Sequence, residues 1–177
     1  DIYWGIGTYL GDGIYQNAQG DLVGHVTDHG HKFEGDDPYK YNIRAYTTTV
    51  SIPPHTDSCD LVGLLCVRPA QSGGDSAVVS STALYNEFLT TRPDLLEPLY
   101  EGFYLDLVGK GTQEKELTHH PIPVFSYFGG KISCRYNKGQ IEHGAKKKGD
   151  GLTVRQQEAV DYFRELSMRP DLRLEME

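Results

Sequence analysis

The sequence predicts a mainly β domain with helical insertions, an α+β chain, and three observations carry that reading. Runs of β-branched and aromatic residues recur between Pro and Gly breakers. The pairs Gly73-Gly74 and Gly129-Gly130 sit between such runs, as turns between strands do. A capping-box pattern, Thr153-Val154-Arg155-Gln156, opens a segment of helical periodicity near the C-terminal end. At 177 residues, with 38% hydrophobic residues and 20 Gly, the chain suits one globular domain, residues 1–177, better than two.

The elements follow in order. Residues 1–43 are rich in Gly, Asn, Asp and His and read as a loop-rich lead-in. Residues 44–52, dominated by β-branched and aromatic types, read as a strand ended by Pro53-Pro54, which a central strand does not tolerate. Residues 61–68 form a near-continuous apolar run stopped by Pro69, and after the turn Ser72-Gly73-Gly74-Asp75 a further strand is expected at 76–80. Cys66 within that run is expected to pack. Ser81 opens a helix with Leu84, Tyr85, Phe88 and Leu89 on one face, closed before Pro93, and residues 94–100 add a second short helix.

Residues 102–107 are strand-like, and 122–127 with 131–136 form a hairpin around Phe128-Gly129-Gly130. The capped helix presents Val160, Phe163 and Leu166 on one face and is expected to end near Met168. Residues 172–177 alternate apolar and polar, as a half-buried strand does, yet no turn or further strand follows. About seven strands result, one short of the eight of a double-sheet jelly roll. The expectation is a jelly roll incomplete at its C-terminus, with its core over residues 44–177 and helices near 81–100 and 153–168.

Charge and composition exclude several classes. Lys+Arg 17 against Asp+Glu 25 gives a net charge of −8, and the one basic run is Lys146-Lys147-Lys148, so a nucleic-acid surface has little support. The longest strictly apolar stretch, 64–67, is far shorter than the roughly 20 residues of a membrane span. Cys59, Cys66 and Cys134 are widely spaced and contain no Cys-x-x-Cys, which indicates neither a zinc knuckle nor a disulfide framework. The first residues show no targeting segment, so a cytoplasmic location is the default expectation. Oligomeric state is not legible.

Chemistry concentrates at His55-Thr56-Asp57. Residues two apart in an extended segment project to one face, so an imidazole and a carboxylate there can converge on one cation and supply two of the three donors of a facial triad. The remaining histidines read more plainly. His25, His29 and His31 lie between glycines in polar loop, and His119-His120 precedes Pro121. Tyr46, Thr48 and Thr49 fall where a pocket wall would be, and Arg135 reads equally as a surface charge or a substrate anchor.

The motif stands in a recognisable context. His55-Thr56-Asp57, the apolar run 61–68, the turn Gly73-Gly74-Asp75-Ser76, Arg92-Pro93-Asp94-Leu95-Leu96, Pro123-Val124-Phe125-Ser126-Tyr127 and Arg135-Tyr136 together resemble the taurine dioxygenase-like (TauD/TfdA) branch of the iron(II)/2-oxoglutarate dioxygenases. The likeness starts as early as Gln16-Asn17-Ala18-Gln19-Gly20-Asp21 and covers most of the chain. It implies a double-stranded β-helix, Fe(II) held by His55 and Asp57, 2-oxoglutarate as co-substrate with O₂, and a small organic substrate, usually hydroxylated. It also implies that Ser76, standing where the family has Thr, gives its hydroxyl to a carboxylate of 2-oxoglutarate. The family's late His ligand and the Arg about ten residues after it are not evident, and both are expected beyond Glu177. Within the chain, His143 with Arg155 is the substitute considered, set aside because residues 144–151 read as loop and Arg155 opens a helix. The alternative reading is a non-catalytic jelly-roll module that holds a ligand or partner.

Overall fold

The computed structural model describes residues 2–17, 20–35, 43–107 and 116–176. Ala18 and Gln19 of the early matching segment, and Glu177 of the expected last strand, lie outside the described residues. Among the described residues the chain forms five helices: α1 (Ile2–Thr8), α2 (Ser81–Thr91), α3 (Leu96–Glu101), α4 (Lys138–Lys148) and α5 (Val154–Ser167). Four strands accompany them: β1 (Ser76–Val79), β2 (Phe125–Phe128), β3 (Lys131–Cys134) and β4 (Arg173–Met176). They pair as two antiparallel two-stranded sheets, β1 with β4 and β2 with β3.

Local chemistry explains the helix ends. Ser80 accepts from the Ala83 amide at the start of α2, and Asn137 accepts from the Gln140 amide at the start of α4. At α5 the capping box is complete: the Thr153 hydroxyl accepts from the Gln156 amide at 3.2 Å, and the Gln156 side chain accepts from the Thr153 amide at 3.0 Å. α5 ends at Ser167 with Met168 as its C-cap, near where the sequence predicts. The β2–β3 turn places Gly129 (φ 57°) and Gly130 (φ 78°) in the left-handed region at both central positions, the requirement of a tight hairpin that matches strand twist.

The core sits between the helices and the β2–β3 hairpin. Phe88 of α2, Phe125 of β2 and Phe163 of α5 are buried against one another, with ring centroids 5.7 to 6.2 Å apart. Leu95, Leu96 and Leu99 close one side, and Ile141 of α4 closes another. α4 approaches the extended segment 103–107 closely: the Asp106 amide donates to the Gln140 carbonyl at 2.9 Å, and a Cβ on Gly144 would lie 2.1 Å from the Tyr104 carbonyl oxygen. Only Gly fits at that contact.

Several expectations change here. The expected mainly β domain is mixed, with helices supplying much of the core and strands forming only two small sheets. Residues 44–52 do not form a strand; they contain a 3-10 turn, Ala45–Thr47, in which the Thr47 and Thr48 hydroxyls donate to the Arg44 and Ala45 carbonyls at 2.8 Å. Such local bonds compete with a ladder when no neighbouring strand is at hand. Residues 61–68 are irregular and belong to no strand, and Leu64 is 75% and Val67 82% exposed. Cys66 is exposed with them rather than packed. An apolar run becomes a buried strand only where partners flank it, because strand preference reflects packing more than backbone.

Residues 102–107 and 122–127 meet through the isolated bridge Phe103↔Ile122 before β2 begins, and Asp106↔Leu117 forms a second bridge. The segment 172–177, expected to lack a neighbour, does have one: β4 pairs with β1 in the register Ser76↔Met176 to Val79↔Arg173. Residues 144–148, expected as loop, complete α4, which ends on Gly149 at φ 102°.

Candidate metal centre

His55, Thr56 and Asp57 lie on an irregular segment between the Pro pair and the exposed apolar run. What holds that segment is Thr56. Its amide donates to the Tyr136 carbonyl at 2.8 Å, and its hydroxyl accepts from the Tyr136 amide at 2.9 Å. Tyr136 lies two residues beyond the end of β3, after Arg135, and is rooted in the core. Its phenol donates to the Val160 carbonyl of α5 at 2.9 Å, and its ring stacks on Phe163 at 3.9 Å and 19°. Burial pushes this phenol well above its ordinary range, with the charges of Glu142 and Asp161 adding to the effect, so it stays protonated as a donor.

On either side of the pinned Thr56, His55 and Asp57 are exposed. His55 Nδ1 is 2.9 Å from the Pro53 carbonyl oxygen. A carbonyl can only accept, so in the neutral ring this bond places the proton on Nδ1 and leaves the Nε2 lone pair open. That is the tautomer a histidine uses when Nε2 binds a metal and the other nitrogen is held by a backbone carbonyl. Asp57 adds a carboxylate two residues on. By donor type, one imidazole nitrogen and one carboxylate, the pair would suit Fe(II) as two of three donors. Among the described residues, no group of three His, Cys, Asp or Glu is gathered that could hold a metal ion.

The other predicted residues fall elsewhere. Ser76 is exposed at the start of β1, opposite Met176. His143 lies on α4. Arg155 is occupied at the surface, pairing with Glu97 at 2.6 Å and donating to the Asp94 carbonyl at 2.5 Å, so it ties α5 to the start of α3. His25, His29 and His31 are exposed, and the rings of His29 and His31 lie 5.8 Å apart. His119 and His120 occupy an exposed bend.

Sequence reasoning did not find the Thr56 to Tyr136 clip. Its partners are 80 residues apart, and on the Tyr136 side its bonds use backbone groups, which leave no signature in side-chain pattern. It also missed the polar lattice around α4 and α5. There Lys138 pairs with Glu142 and Asp161, and Gln157 donates to both carboxylates. Burial works against the Lys138 charge, but these bonds outweigh it and hold the ammonium above its usual range.

The profile of the family described as taurine catabolism dioxygenase TauD, TfdA matches residues 1–177. The chain belongs to that family. It is similar to FR-33289 synthase of Streptomyces rubellomurinus, 33% identical over 172 residues that cover 97% of this chain and 49% of that protein. It is also similar to a taurine hydroxylase-like protein of Stachybotrys chartarum, 28% identical over 181 residues covering 98% of this chain and 46% of that protein. The chain thus spans about half the length of these two relatives. Among the described residues, no helix of this TauD/TfdA member is long and apolar enough to cross a membrane.

Proposed function

We propose that this chain is part of an Fe(II)/2-oxoglutarate-dependent dioxygenase in which His55 and Asp57 supply two of the iron ligands. The observation that carries the proposal is the His55 ring, held through Nδ1 by the Pro53 carbonyl with Nε2 open, two residues from the Asp57 carboxylate. Family membership over the whole chain supports it. In such an enzyme, bound iron, 2-oxoglutarate and O₂ supply an oxidation that releases succinate and CO₂ and hydroxylates a small organic substrate. The name of the fungal relative, taurine hydroxylase-like, supports hydroxylation as the class of outcome.

The residues of this chain would bind and orient. The Pro53 carbonyl keeps the His55 proton on Nδ1, and Asp57 balances part of the dication charge. The Ser76 hydroxyl would donate to a carboxylate of 2-oxoglutarate, a charge-assisted bond. A late His and an Arg that pairs with 2-oxoglutarate would come from beyond Glu177, in a complete double-stranded β-helix acting in the cytoplasm. The 177-residue chain alone is accordingly expected to be inactive, because two ligands hold a divalent ion weakly.

The test is succinate formation from 2-oxoglutarate with Fe(II) and ascorbate, in the 177-residue chain and in the complete polypeptide that carries it. Activity of the complete polypeptide, abolished by His55→Ala and by Asp57→Ala, is the expected result. A folded complete polypeptide with no turnover and no change on His55→Ala would favour the non-catalytic binding module instead.

A further inference from the structure

Thr56 belongs to neither ligand, yet it is the one residue of the tripeptide bonded to the core. We infer that Thr56 is a positioning residue: its hydroxyl and amide clip the backbone between His55 and Asp57 onto Tyr136, and this sets the direction of both ligand side chains. The inference rests on the metal-pair reading above and deepens it.

Three observations support it. First, the clip has two strands of contact, the Thr56 amide to the Tyr136 carbonyl at 2.8 Å and the Tyr136 amide to the Thr56 hydroxyl at 2.9 Å. Two bonds to one residue fix rotation of the Thr56 backbone as well as its distance. Second, the partner is rigid, since Tyr136 is buried, stacked on Phe163 and bonded to Val160. Third, the segment around the clip is otherwise largely exposed: His55, Asp57 and Ser58 are exposed, and so are the apolar residues from Leu61 to Val67. A ligand pair on a loosely held segment gains its geometry from whichever contact ties that segment to something rigid.

The chemistry is specific to a hydroxyl. Val has the same branching as Thr and keeps the amide bond, but it cannot accept from the Tyr136 amide. Ser keeps the acceptor and loses only a methyl. With the clip half undone, the turn from Pro53 to Asp57 loosens, and the Nδ1 bond of His55 to Pro53 should loosen with it.

Two readouts test this on the 177-residue chain, neither of them turnover. One is titration with Co(II) followed by its visible absorption. The other is the ¹⁵N shifts of the His55 ring, taken without metal at a pH where the ring is neutral, which show which nitrogen carries the proton. The parent chain is expected to bind Co(II) weakly but saturably and to show the proton on Nδ1. His55→Ala and Asp57→Ala should abolish that binding. Thr56→Val should weaken it about two- to tenfold, the equivalent of one neutral hydrogen bond, and give mixed ring tautomers. Thr56→Ser should restore both readouts, and unchanged Phe163 ring signals should show that each variant is folded.

The outcomes separate the two claims. If the ligand variants lose binding while Thr56→Val keeps the parent affinity or the parent tautomer, the positioning role is wrong and the metal pair stands. If His55→Ala and Asp57→Ala bind as the parent does, the metal reading fails and this inference falls with it; where the parent chain holds Co(II) too weakly to titrate, a Thr56→Val ring that keeps the parent tautomer overturns the positioning role by itself.

Discussion

The two parts of the chain before and after residue 76 contrast in almost every physical respect. The earlier part holds the His55 and Asp57 pair and exposes most of its apolar residues. Its buried residues among those described are Ala45 and Thr47. The later part holds the aromatic core, the capped helices and both sheets, and its charged groups are largely paired with one another. Chemistry and stability are therefore divided along the sequence. The contact between Thr56 and Tyr136 joins them, and this teaches that an exposed segment, here the one with the proposed ligand pair, can borrow rigidity from a core to which it contributes little.

The largest expected effect breaks the later part. Phe163→Ala removes a buried ring that meets Phe88, Phe125 and Tyr136, and should cost about 3 to 5 kcal/mol in urea unfolding. Next comes Gly144→Ala, which forces a methyl against the Tyr104 carbonyl where the helix cannot yield without losing the Gln140 to Asp106 bond. It should cost about 1 to 3 kcal/mol by the same measurement. Thr153→Ala, which dissolves the capping box of α5, should cost about 1 kcal/mol, with Thr153→Ser close to the parent.

Alkaline pH probes the same core without mutation. Burial pushes the Cys134 thiol from 9.0 up to about 12. Its raised value means that the folded state keeps a proton the unfolded chain loses. This contribution is fully present below about pH 9 and is lost as the pH rises from there towards 12, by at most about tenfold in the folding equilibrium per pH unit. Chemical denaturation across that range should show a steeper fall in the parent than in Cys134→Ala. The smallest effect sharpens the comparison from the other side. Leu64→Ala and His55→Ala, both at exposed positions of the earlier part, should shift unfolding by no more than about 0.5 kcal/mol. A cost above 2 kcal/mol for Leu64→Ala, on the scale of a buried Leu, would show that the earlier part shares the core and would erase the contrast.

Much of what is encoded locally is legible in the sequence, although α1, within the stretch read as loop-rich, and α4 are not. The capping box at Thr153, the apolar face of Val160, Phe163 and Leu166, the helix from Ser81 and the hairpin at Gly129-Gly130 all depend on residues within a few positions of one another, so the pattern alone locates them. α4 escaped because Gly139 and Gly144 dilute its periodicity, although Asn137 with Gln140 and the pair Ile141 and Ala145 mark its cap and its buried face. The His55-Thr56-Asp57 motif and the family likeness were equally legible, being matters of residue identity and spacing.

Partnership across long separations belonged to the tertiary structure. The sequence shows that residues 173–176 alternate, but only the fold pairs them with Ser76–Val79, about 97 residues away, because strand pairing is chosen by which edges meet. An apolar run such as 61–68 has strand composition whether or not neighbours flank it, and its exposure here follows from their absence among the described residues. By itself the sequence determined which side chains could carry chemistry and where helices begin and turn. What only the tertiary structure decided is that the Thr56 amide and hydroxyl are tied to the backbone of Tyr136, since the backbone groups of any residue can take such bonds and position in space selects which do.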